Sequence, residues 1–171
     1  MKTTIFLTAL LLICSTSSFS QRYLRHYNKG NEYLDTRNYQ EAIDEFTKAI
    51  ESFGDFYEAY YNRGLAKNII KDYPGALNDY NKAIELRPSF APVFNNRGLV
   101  KKELEDMRGA INDYCTAIRI DNTFADAYFN LANAYILIQQ TDSACMHYRK
   151  AHEMGQKRAF EQFAKHCDKS K

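Results

Sequence analysis

Three residues near the C-terminal end, Cys145, His147 and His152, carry side chains that could do chemistry. A thiolate among imidazoles is the raw material of a zinc site, or of a nucleophile with a neighbouring base. Their spacing argues against both. Offsets of two and five residues put the three on different faces of a helix. No CxxC, HExxH, GxSxG or phosphate-binding glycine loop accompanies them. His26 and His166 lie at opposite ends of the chain, and Cys115 reads as a partly buried thiol. The histidines are therefore expected to be surface or packing groups. No catalytic residue, metal site or cofactor is expected.

The elements that hold these residues follow from a repeat. Asn62-Arg63-Gly64 returns as Asn96-Arg97-Gly98, 34 residues later. The same shift aligns Gly30, Gly64, Gly98 and Ala132. It also aligns Ala42, Ala76, Ala110 and Ala144, and Ala49, Ala83, Ala117 and Ala151. Aromatic rows accompany the small ones: Phe46, Tyr80, Tyr114 and Tyr148, and His26, Tyr60, Phe94 and Tyr128, the first of which is a histidine. Four copies in register without insertion make a periodic array.

Each copy reads as two helices. In the second, Tyr60, Gly64 and Lys67 keep helical spacing, which restarts at Tyr73, Ala76, Tyr80 and Ala83. Asp72 stands at the break as an N-cap before Pro74, with Asn38 and Asp106 equivalent to it, and Pro88 stops the second helix. Gly54 and Gly155 are placed to end second helices in the left-handed conformation. Small residues let two helix axes approach, so Gly64 is expected to face Ala76 while the ring one turn away fills the adjoining space. Lys29, Arg63 and Arg97 should pair across the hairpin with Glu45, Asp79 and Asp113; the fourth copy has Leu131 and His147 instead.

These positions resemble the tetratricopeptide repeat, whose 34-residue helix pairs carry an aromatic, a glycine, a tyrosine, two alanines and a closing proline at the same offsets. The likeness covers residues 23 to about 156. It departs at the closing proline, present only as Pro88, and at the leucine before the glycine, replaced by Lys29, Arg63 and Arg97. The resemblance implies an all-α, right-handed α-solenoid of four helix-turn-helix units, residues 23–56, 57–90, 91–124 and 125–156, then a capping helix and tail over 157–171. It further implies a concave groove, lined by the first helix of each pair, that holds a peptide of a partner protein.

Mapped onto this chain, the implied groove comprises Tyr27, Asn28, Asn31, Tyr61, Asn62, Leu65, Asn95, Asn96, Leu99, Phe129, Asn130 and Asn133. Asn28, Asn62, Asn96 and Asn130 form an unbroken row of amides, each a donor and an acceptor, able to pair with an extended backbone. The same amides could equally contact only water or a neighbouring helix. Family members that clamp chaperone carboxyl termini add basic residues; here Asp35, Glu58, Glu103 and Asp126 stand against Lys102. A neutral or basic peptide with apolar side chains is the expected ligand. The alternative is a structural subunit that mediates assembly of an oligomeric envelope complex.

Residues 1–20 set the compartment. Lys2, the apolar run Ile5 to Ile13 and the small residues Ser18 and Ser20 make a signal peptide cleaved after Ser20. The run is too short to span a bilayer, which needs about 20 apolar residues. Ile13 is too large for the position before a lipoprotein cysteine, so lipidation at Cys14 is not expected. Cleavage would remove Lys2 and lower the formal charge of +2 by one. Basic and acidic residues are interleaved, with no basic stripe of the kind nucleic-acid binders carry. A periplasmic or secreted protein with a protein or peptide partner is expected, with no nucleic-acid partner and no membrane span after cleavage.

The remaining cysteines agree with an oxidising compartment. Cys145 lies ten residues before Gly155 and Cys167 twelve after it, positions that meet in an antiparallel hairpin. A disulfide closing the capping helix is expected, two buried thiols being the alternative.

Overall fold

The computed structural model describes residues 21–167; the signal-peptide and Cys14 expectations fall outside them. The described residues are all-helical. Helix α1 covers residues 21–35. It is followed by α2 Tyr39–Ser52, α3 Tyr57–Ile69, α4 Tyr73–Leu86, α5 Ala91–Glu103, α6 Met107–Ile120, α7 Ala125–Leu137, α8 Thr141–Glu153 and α9 Lys157–His166. The chain divides into two compact units, one ending at Leu86 and the other beginning at Arg87. A chain of 171 residues is the size of one ordinary domain. In a repeat array each copy contacts only its neighbours, so compactness is local.

The hairpins of each unit are built on the small and aromatic rows. Ala42, Ala49, Ala76, Ala83, Ala110, Ala117, Ala144 and Ala151 are fully buried, with Phe46, Tyr80, Tyr114 and Tyr148 among them. The close neighbour of the glycine is the aromatic ring. A Cβ on Gly64 would lie 2.7 Å from the Tyr80 ring, and one on Gly98 equally close to Tyr114. The ring lies directly over the glycine, so the whole Cβ position belongs to it.

Turn chemistry explains the helix ends. Asp72 Oδ1 accepts from Gly75 N at 3.0 Å and Asp106 Oδ1 from Gly109 N at 2.9 Å, as N-caps do. Asn38 donates to Thr36 Oγ1 instead and makes no side-chain cap. At the other ends, Asn38, Asp72, Asp106 and Gln140 donate their N–H to the carbonyls of Tyr33, Lys67, Lys101 and Tyr135, five residues earlier, at 2.8–2.9 Å. This closure requires the preceding residue to be left-handed. That residue is Arg37, Lys71, Glu105 or Gln139, all with φ of 62–65°. Gly155, at φ 88°, ends α8 as expected. Gly54 is not left-handed, and extended Phe53 ends α2.

Helix α9 begins a fifth copy that has no second helix among the described residues. Where earlier copies carry Phe94 or Tyr128, and Gly98 or Ala132, it has Gln162 and His166. The two positions that are aromatic and small in earlier copies are therefore polar on α9. Ala159 is fully buried against a cluster that includes Phe129, Tyr148 and Ala151, with Phe163 and Cys167 beside it. A disulfide joins Cys145 to Cys167, with Cα atoms 5.7 Å apart. Cys115 is a free thiol on α6 and is exposed, not partly buried as the sequence suggested.

Candidate peptide-binding face and its ionic supports

The first helix of each of the first three pairs is held by a charged cluster beneath it. Arg63 donates in parallel to Asp79, Nε to Oδ2 at 2.9 Å and Nη2 to Oδ1 at 2.6 Å. Arg97 repeats this fork on Asp113 at 2.9 and 2.7 Å. Such bidentate pairs fix orientation as well as charge. A second cation, which the sequence reading missed, joins each carboxylate: Lys67 Nζ lies 2.8 Å from Asp79 and Lys101 Nζ 2.8 Å from Asp113. Its signal was available, because Lys67 and Lys101 stand one helical turn after the arginines. Arg63 and Arg97 also lie over the rings of Tyr60 and Phe94, at 5.5 and 5.6 Å.

The two outer copies solve the same position differently. Glu45 accepts from His26 Nδ1 at 2.6 Å and from Lys48 and Lys29 at 2.8 and 3.4 Å. Burial alone would raise its carboxyl, but the hydrogen bonds of His26 and Lys48 and the charges of both lysines hold it at about 2. A carboxyl lowered by folding binds fewer protons folded than unfolded, so acid favours unfolding. Its contribution is whole above pH 4.5 and fades as pH falls towards 2. Urea titrations should show the gap between native protein and Glu45→Gln closing across that window. A gap independent of pH would contradict the assignment. In the fourth copy the ions are absent: His147 stacks on Tyr135 at 5.5 Å and 8°, and burial lowers its pKa.

The candidate wall in the first unit lies on α1 and α3. Asn62 Nδ2 donates to Asn31 Oδ1 at 2.8 Å and to Tyr27 OH at 3.2 Å. Both of its N–H groups are thus directed into α1, and its carbonyl oxygen is left to accept. Tyr27 is half-buried against the rings of Phe46 and Phe56, at 5.8 and 4.7 Å. Tyr61 and Leu65 are half-buried and Asn28 is exposed.

The wall in the second unit lies on α5 and α7. Asn130 Nδ2 donates to Asn95 Oδ1 at 2.9 Å, and Asn95 donates in turn to Asn96 at 3.4 Å. Asn96, Leu99, Asn130 and Asn133 are half-buried. Two residues assigned to an open groove do not reach it: Asn95 is 5% exposed and Phe129 7%. Phe129 is sealed by Tyr148 on one side and by the Arg158 guanidinium, 4.8 Å from its ring, on another. Row position showed which helix carries these residues, but not how deeply the adjoining side chains cover them.

One polar detail separates the copies. Tyr148 OH donates to Asn133 Oδ1 at 2.6 Å. Tyr80 and Tyr114 have Leu65 and Leu99 at the equivalent position, and their hydroxyls are buried without a hydrogen-bond partner. Burial pushes both phenols upward. Removing an unsatisfied hydroxyl costs little, whereas removing one member of a bonded pair costs about 1 kcal/mol. Thermal unfolding should therefore show Tyr114→Phe neutral or stabilising and Tyr148→Phe destabilising. The reverse order would contradict the assignment.

Among the described residues, no group of three His, Cys, Asp or Glu side chains could hold a metal, and no helix is long and apolar enough to cross a membrane.

The helix pairs, their 34-residue register and the aromatic-over-glycine contact define a tetratricopeptide-type protein. Models of the tetratricopeptide repeat match residues 27–90 and 125–154, and a TPR repeat model matches residues 102–139. The chain belongs to the tetratricopeptide repeat family, within the all-α solenoid class. No curated protein matches the chain. Among solved structures, the crystal structure of MamA is 27% identical over 81% of each chain, with a TM-score of 0.75. The first TPR of Spaghetti (RPAP3), bound to HSP90 peptide SRMEEVD, is 27% identical. That match covers 70% of this chain and 95% of the other, with a TM-score of 0.68. Pseudomonas aeruginosa pilF, at 18% identity over 90% of this chain and 71% of its own, shares the fold with a TM-score of 0.81.

Proposed function

We propose that the chain is a protein-interaction scaffold of the cell envelope that holds an extended peptide on the first helices of its repeats and performs no chemistry of its own. The observation that carries this reading is the anchoring of Asn62, whose N–H groups are both taken up by α1 while its carbonyl oxygen is left to accept. Asn130, tied to Asn95, is the counterpart in the second unit. Amides fixed in this way are preorganised acceptors, suited to a peptide backbone N–H without regard to its side chains. Leu65 and Leu99 beside them offer apolar contact.

Export to the periplasm or beyond is part of the proposal. It rests on the pattern of residues 1–20 and on the disulfide between Cys145 and Cys167, since disulfides persist in oxidising compartments.

The charge around the face separates its ligand from the acidic peptide carried by the RPAP3 neighbour. Lys102, the base that stands against the acids near the groove, lies 3.1 Å from Glu103, so its charge is already matched. A display library of 12-residue peptides, panned on residues 21–171, tests the reading. Neutral or basic apolar sequences should be recovered, and SRMEEVD should not compete with them. Recovery of acidic C-terminal sequences would overturn the charge argument.

A further inference from the structure

The link between Cys145 and Cys167 does more than brace the chain: we propose that it is a redox-sensitive latch, whose opening releases α9 from the second unit and uncovers the apolar face beneath it. Three observations converge. First, α9 has only ten residues, a length at which an isolated helix is marginal in water, so its folding depends on docking. Second, its noncovalent anchorage is thin. Ala159 is its one buried residue, Phe160 is 57% exposed and meets the His152 ring at 5.2 Å, and Arg158 over Phe129 and Arg149 over Phe163 add two cation–ring contacts. Third, the covalent tie is reachable, because Cys145 and Cys167 are both half-buried, and Cys167 sits at the far end of α9, where detachment would otherwise begin.

Opening requires a dithiol reductant. One of its thiolates attacks a sulfur of the disulfide, giving a mixed disulfide and one protein thiolate. The second reductant thiol then displaces the other protein sulfur. Two electrons and two protons pass to Cys145 and Cys167, and the reductant leaves as its disulfide. Phe129, Tyr148 and Ala151, covered while α9 is docked, then face solvent, and Gly155 serves as the hinge.

Hydrogen exchange on the full mature chain, oxidised and reduced by a dithiol, tests the latch. A Cys145→Ser/Cys167→Ser variant provides a second route to the open state. A closed loop of 22 residues corresponds to roughly 100-fold or more in the opening equilibrium. Amides of α9 should lose protection by about that factor in both open forms, while those of α5 and α6 keep theirs, and an apolar dye should bind only the open forms. Unchanged protection in α9 would show that packing alone holds it. Equal loss across the second unit would make the disulfide a general brace. Either result overturns the proposal.

Discussion

Asp113→Ala should destabilise the second unit by about 3 to 5 kcal/mol, the range for removing one member of a buried charge cluster. The side chain of Asp113 is 1% exposed and is the acidic partner of both Arg97 and Lys101. Without it, two like charges that are themselves only 18% and 21% exposed lose the carboxylate they share. Their remaining access to water favours the lower end of the range. The fourth copy shows how to separate lost attraction from stranded charge, because it places Leu131, Tyr135 and His147 at the equivalent positions. The triple variant Arg97→Leu/Lys101→Tyr/Asp113→His should recover most of the loss, since it replaces the ion cluster with the set whose tyrosine and histidine stack in the fourth copy and strands no buried charge. Denaturant unfolding of the native, single and triple variants measures both. If the triple variant is no more stable than Asp113→Ala, the loss is one of packing rather than uncompensated charge.

Glycine at all four left-handed turn positions should stabilise the protein by about 2 to 4 kcal/mol. Arg37, Lys71, Glu105 and Gln139 each hold a left-handed backbone, which costs a side-chain-bearing residue about 1 to 2 kcal/mol. Glycine removes that cost and returns part of it as unfolded-chain entropy, leaving roughly 0.5 to 1 kcal/mol per site. The sites are 34 residues apart in sequence and share no partners, so their effects should add. The native precedent is Gly155, which ends α8 with the same backbone closure, Gln156 N to Ala151 O at 2.9 Å. Calorimetry of the four single variants and their combination checks this. Destabilisation at any site would mean that its side chain makes a compensating contact.

These two predictions mark what the sequence could and could not disclose. The ion pairs were legible because base and acid vary together down the rows: Lys29, Arg63 and Arg97 face Glu45, Asp79 and Asp113, and both change character in the fourth copy. Helix number and the break at Asp72 were legible from periodicity and capping chemistry. The left-handed turns were not, since arginine, lysine, glutamate and glutamine carry no local signal for positive φ; that conformation is imposed by the helix pair closing on itself. Gly54 misled for the converse reason, because a glycine permits the left-handed region without requiring it. On the candidate face, helix assignment followed from the register, but the burial of Asn95 and Phe129 did not. It depends on the depth of the adjoining side chains, and for Phe129 on Arg158 of the capping helix.

The central claim is that anchored asparagines on the first helices present acceptors to a peptide backbone. Isothermal titration of a library-selected peptide against the native protein and against an Asn62→Ala/Asn130→Ala variant of matched thermal stability tests it most directly. A loss of affinity of at least about tenfold, equivalent to about 1.4 kcal/mol, is the result this account predicts. Equal affinity for the two proteins would contradict it and place the ligand on another surface.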